Sequence, residues 1–158
     1  MKSSITKGLC FGLTSGVITT LGLIVGLNSS THSSKIVIGG ILVIAIADAM
    51  SDALGIHVAE ESSRHKTEKQ IWAATLSTFF AKMIFSSLFI IPFLIFELSV
   101  AIPLSVIAGI ILIAVFSYYL ARRRKVNPFG VVFEHVLIAT LVVLATHWVG
   151  EWIGKWGG

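Results

Sequence analysis

Apolar residues run almost without interruption through five stretches, near residues 7–28, 36–58, 71–96, 100–121 and 130–154, and polar residues collect in the short intervals between them. A run of about 20 apolar residues is what an α-helix needs to cross the hydrocarbon core of a bilayer. None of the five alternates polar with apolar residues, as a strand of a membrane barrel does. The pattern therefore predicts an all-α integral membrane protein, a five-transmembrane-helix bundle forming a single domain over residues 1–158, with no length left for a soluble domain.

Composition agrees. With 55% hydrophobic and 13% charged residues, the chain is too apolar to cover a soluble surface. The net charge of +4 raises the question of nucleic acid, but the basic residues sit between the apolar runs and do not line one helix among aromatics, so membrane lipid is the expected partner and nucleic acid is not. Cys10 is the only cysteine, which excludes an intrachain disulfide and a cysteine-rich metal site. Lys2 and Lys7 before the first run imitate a signal peptide, yet the run is long enough to span and no A-x-A cleavage site closes it near Asn28.

The distribution of Lys and Arg predicts sidedness. Lys2 and Lys7, the second loop (Arg64, Lys66, Lys69) and the fourth loop (Arg122, Arg123, Arg124, Lys125) hold nine of the twelve basic residues on one side. Lys35 and Lys155 lie on the other, and Lys82 falls inside a span. The positive-inside rule makes the first side, with the N-terminus, cytoplasmic and the C-terminus extracytoplasmic. Trp148, Trp152 and Trp156 then mark the outer interface. The Arg122–Lys125 run reads as an orientation signal that also touches anionic head groups.

Ionisable groups in hydrocarbon are costly and mark function by default, which singles out the second span, AIADAMSDALGIHVAEESS. Asp48 and Asp52 are four apart and share one helix face. The small residues Gly55 and Ala59 continue that stripe and admit a neighbouring helix. Lys82, near the middle of the third span, is the expected partner of one Asp, as a counter-ion that a cation could displace. In the first span Ser15 lies at a similar depth to the two carboxylates, and its hydroxyl could complete an oxygen-lined cation site. Towards the cytoplasmic end, His57, Glu60 and Glu61, followed by His65 and Glu68, form a candidate collecting patch for iron, manganese or zinc. Glu134 and His135 open the fifth span on the same side, where Glu134 could line the entrance, and His147 towards the outer side could relay protons. No metalloprotease helix, nucleophile elbow or cofactor fingerprint is present, so no enzyme and no resident cofactor are expected.

Together these segments resemble the vacuolar iron transporter family, along almost the whole chain. GLTSGVITTLGLIVGL at residues 12–27 looks like the family's first-helix stretch, SDALGIH at 51–57 its second-helix Ser-Met-x-x-Gly-Glu-Tyr motif, Pro92 its third-helix proline, and THWVG at 146–150 a motif near the end of the fifth helix. The resemblance implies a five-helix protomer that forms a homodimer and exports divalent iron or manganese from the cytoplasm in exchange for protons. The chain departs from that pattern: Ser15 stands at the family's first-helix Asp, Asp52 at its Met, and Ile56 and His57 at its Glu-Tyr pair. The long glutamate-rich region between the second and third spans is also missing. An Asp in place of a thioether shifts the expected preference towards harder ions such as manganese. The leading expectation is thus a proton-coupled divalent metal transporter with Asp48 and Asp52 as the coupled site. A cation carrier or channel of other selectivity and a non-transporting membrane scaffold are the alternatives.

Overall fold

The computed structural model describes residues 1–63 and 65–156; Arg64, counted above in the second loop, lies outside them. The described residues form α-helices with no strand: α1 (Lys2–Thr31), α2 (Ser34–Glu61), α3 (Glu68–Leu88), α4 (Ile90–Ile95), α5 (Leu98–Arg124) and α6 (Pro128–Gly154). Five helical segments are long and apolar enough to cross a membrane, namely α1, α2, the α3–α4 pair, α5 and α6. They coincide with the five apolar runs but extend beyond them, because charged turns such as Arg122–Arg124 continue the helix past the hydrocarbon-length stretch.

The third span differs from the unbroken helix expected over 71–96. It is interrupted at Phe89, between α3 and α4. Pro92 lacks the N–H that would bond the carbonyl of Leu88 and its ring crowds that carbonyl, so the regular ladder stops one turn earlier. Pro128 acts in the opposite sense. It sits in the first turn of α6, where its missing N–H costs nothing, and Asn127 caps the helix by accepting from Phe129 N at 3.0 Å. At the end of α5, Lys125 adopts a left-handed conformation with φ 56° and stops the helix.

The chain divides into two compact units. One comprises Met1–Thr20 and Gly39–Ile91, the other Leu21–Ile38 and Pro92–Gly158, of which Gly157 and Gly158 lie outside the described residues. In the first unit, the early half of α1 lies directly against α3. A Cβ on Gly12 would stand 2.5 Å from Thr78 O and 2.9 Å from Ala81 Cβ, and Ser86 of α3 donates to Gly16 O at 3.3 Å. Only glycine permits this backbone contact. In the second unit the later half of α1 meets α6, where a side chain on Gly150 would collide with Gly26 O and Ser29. The inward stripe of α5 repeats every four residues, Ala101, Ser105, Gly109, Ile113, Ser117 and Ala121.

Outward faces are apolar. Val43, Ile46, Met50 and Leu54 of α2, Ile107, Ile111 and Val115 of α5, and Leu141, Leu144 and Trp148 of α6 are all exposed, while Lys82, Glu60, Thr78 and Ser86 are buried. Large apolar side chains outside and polar ones inside suit a lipid surround.

Candidate functional site

Asp48, Ser15 and Lys82 lie near the midpoints of three helical segments in the first unit, and Asp52 joins them one turn beyond Asp48. Asp48 stands 14 residues from Ser34 and 13 from Glu61. Lys82 stands 14 from Glu68 and 13 from Ile95, and Ser15 lies 13 from Lys2 and 16 from Thr31. At about 1.5 Å per residue, each has roughly 20 Å of helix on either side.

Lys82 is fully buried, with 0% exposure. Its ammonium lies 2.5 Å from Asp48 Oδ2, contacts Asp52 Oδ2 and donates to Ser15 Oγ at 2.9 Å. Ser15 in turn donates to Asp52 Oδ2 at 2.6 Å. The sequence dictates this meeting in two ways. The four-residue spacing of the aspartates puts both on one face of α2, and the glycines of α1 bring Ser15 close enough to α3 to reach Lys82.

The carboxylates are not sealed. Their side chains are 32% and 21% exposed, against 1% for that of Lys82. Two carboxylates against one ammonium leave one negative charge in excess, so a single proton or monovalent cation balances the cluster. Its donors are all oxygens apart from the lysine, a set that suits hard cations. Lys82 Nζ occupies the position between them that such a cation would take.

The other predicted residues lie apart from this cluster. Glu60 is buried and pairs with Lys7 through one carboxylate oxygen, with Lys66 Nζ 3.3 Å from the other. His57 bonds Thr75 Oγ1 through Nδ1 at 2.9 Å, packs edge-on against Trp72 and has Glu61 Oε1 3.8 Å from Nε2, while the Glu61 side chain is mostly exposed. The expected collecting patch of His57, Glu60, Glu61, His65 and Glu68 is therefore not gathered, because Glu60 turns to two lysines and His57 ties α2 to α3. Among the described residues no three His, Cys, Asp or Glu side chains lie close enough together to hold a metal ion.

In the second unit, His147 Nδ1 bonds Ser29 Oγ at 2.7 Å and His135 Nδ1 bonds Ser117 Oγ at 2.8 Å, while Glu134 is exposed near the start of α6. The serine partners were not singled out from the sequence. Ser117 belongs to the four-residue stripe of α5, which was the signal available.

The chain matches no family model and no curated protein.

Proposed function

We propose that the chain is a multi-pass membrane transporter that exchanges a divalent cation, iron or manganese, for protons, with its N-terminus in the cytoplasm and metal leaving the cytoplasm. The observation that carries the reading is Lys82, a buried ammonium at mid-helix held by Asp48, Asp52 and Ser15. A structure that already stabilises a positive charge there, using oxygen ligands, is suited to receive another. The motif order resembling vacuolar iron transporters supports a divalent cargo and a homodimer, and the nine basic residues on one side support the orientation.

Charge balance supplies a mechanism. Asp48 and Asp52 with protonated Lys82 and one further proton sum to zero. A divalent cation entering between the carboxylates restores zero when that proton and the Lys82 ammonium proton both leave, with Lys82 remaining as a neutral amine. One divalent ion is thereby exchanged for two protons without net charge in a poorly solvated site, where unpaired charge is costly. Ser15 keeps an oxygen ligand in place throughout.

The test is uptake by liposomes carrying the purified protein under an imposed pH gradient, screened across divalent ions. Asp52→Asn keeps shape and hydrogen bonding but removes one ionisable group, so uptake should be lost while the melting temperature stays near that of the parent. A second reading, a non-transporting scaffold, is favoured by the completeness of the Lys82 contacts, which satisfy all three of its donors. Full uptake by Asp52→Asn would refute the transport site, and absence of uptake for every ion by the parent chain would leave the scaffold ahead.

A further inference from the structure

The last turn of α5 and its C-cap carry Arg122, Arg123, Arg124 and Lys125 in succession, all exposed. Among the described residues none of the four pairs with a carboxylate. Arg123 lies over the Tyr119 ring at 5.0 Å, and among the described residues its three neighbours form no ion pair. Directly along the helix from this cluster, Ala114, Val115 and Tyr118 of α5 and Phe129 and Val132 of α6 line a groove of about 310 Å³. Tyr118 and Arg122 are four apart and so share a helix face, with the phenol one turn below the guanidinium.

We propose that this groove and the cations above it form a binding site for one anionic phospholipid, its phosphate at Arg122 within the field of the neighbouring basic residues and an acyl chain in the groove. The inference rests on the membrane reading but not on transport. Charge selects the occupant: four adjacent cations repel one another, and a phosphate diester without a cationic head group brings one net negative charge that reduces this repulsion, whereas a choline head would bring a further ammonium against the arginines. Shape selects it too, because an apolar groove continuing from a phosphate-binding cluster fits a molecule that is anionic at one end and hydrocarbon at the other. Tyr118 has the amphipathic ring that favours the depth between them. The groove lined by Met50, Leu54, Trp72, Leu76 and Phe79 on α2 and α3 lacks this complement; the only ionisable group in its lining is His57, which is bonded to Thr75.

Native mass spectrometry of the full chain, titrated with phosphatidylglycerol or phosphatidylcholine of identical acyl chains, tests the proposal. One phosphatidylglycerol should be retained in preference. Arg122→Gln should weaken it about five-fold and Arg122→Gln with Arg124→Gln about thirty-fold, at roughly one basic residue's worth each. Val115→Trp, which fills the groove but keeps every charge, should also lower retention, and excess inorganic phosphate should not displace the lipid. Equal retention of the two lipids, undiminished binding by the double variant, or displacement by phosphate would overturn it. Flotation of the protein with phosphatidylcholine vesicles reports on the membrane reading separately; failure to float would overturn both.

Discussion

Replacing Gly12 by alanine adds one carbon where α1 touches α3. That carbon would lie 2.5 Å from Thr78 O, 2.9 Å from Ala81 Cβ and 3.0 Å from Lys82 N. Comfortable contact begins near 3.5 Å, so the helices must separate by about 1 Å. The obstructing atoms are two of the backbone and one Cβ, and none can rotate aside. Ser15, one turn further along α1, would be carried with it, and its bonds to Asp52 at 2.6 Å and from Lys82 at 2.9 Å would stretch towards or past the limit of about 3.5 Å. Overpacking of this kind costs about 1–3 kcal/mol, offset by about 1 kcal/mol of helix propensity gained over glycine. The net loss should lower the melting temperature in detergent by a few degrees, at about 2–4 °C per kcal/mol, and depress cation uptake beyond what the stability loss explains. Gly55→Ala is the control, since nothing lies within 4 Å of its added carbon. It should be neutral or slightly stabilising. A Gly12→Ala protein that melts at or above the parent temperature would refute the reasoning. Gly55→Leu reports instead on assembly: an isolated protomer tolerates it, whereas a homodimer packed mainly through α1 and α2 does not.

Lys82→Met leaves two carboxylates without their cation and should cost about 3–5 kcal/mol at neutral pH. The melting temperature in detergent should fall accordingly, at about 2–4 °C per kcal/mol; one equal to that of the parent would count against this. Lys82→Arg keeps the positive charge but cannot give up its proton, so it should retain the ion cluster, with some overpacking, and abolish exchange of divalent ions for protons. Undiminished proton-coupled uptake by that variant would eliminate the two-proton mechanism. A cysteine placed beside Arg123 should react with an impermeant reagent only in permeabilised cells and one beside Lys155 in intact cells; equal access would contradict the five-span orientation.

Hydropathy marks the five long apolar helices because runs of this length are unmistakable, and the ion cluster is legible because charges in such runs are few and their helical spacing is fixed. Asp48, Asp52, Lys82 and Ser15 could be ranked by depth alone. The partners of Glu60 could not, since Lys7 lies 53 residues away and nothing local distinguishes that pairing from one with His57. The glycines show the same limit. Gly16 and Gly55 both sit in small-residue stretches, yet Gly16 lies against the backbone of Lys82 and Gly55 faces open space within the protomer. The interruption at Phe89 was visible as Pro92, but a proline in a long apolar run reads equally as a kink within one helix.

The ion cluster also bears on how such a chain could enter a bilayer in the first place. Presented singly, α2 carries two aspartates at or near its middle and α3 a lysine, each penalised by about 3 kcal/mol on insertion. Side by side, they present the bilayer with ion-paired groups. Only residues 62–67 separate α2 from α3, so the two can approach the membrane as a hairpin as soon as the ribosome releases the second. In the membrane reading, the insertion machinery would accept these helices as a pair more readily than either alone, and α1 would need to wait beside them until Lys82 arrives to meet Ser15.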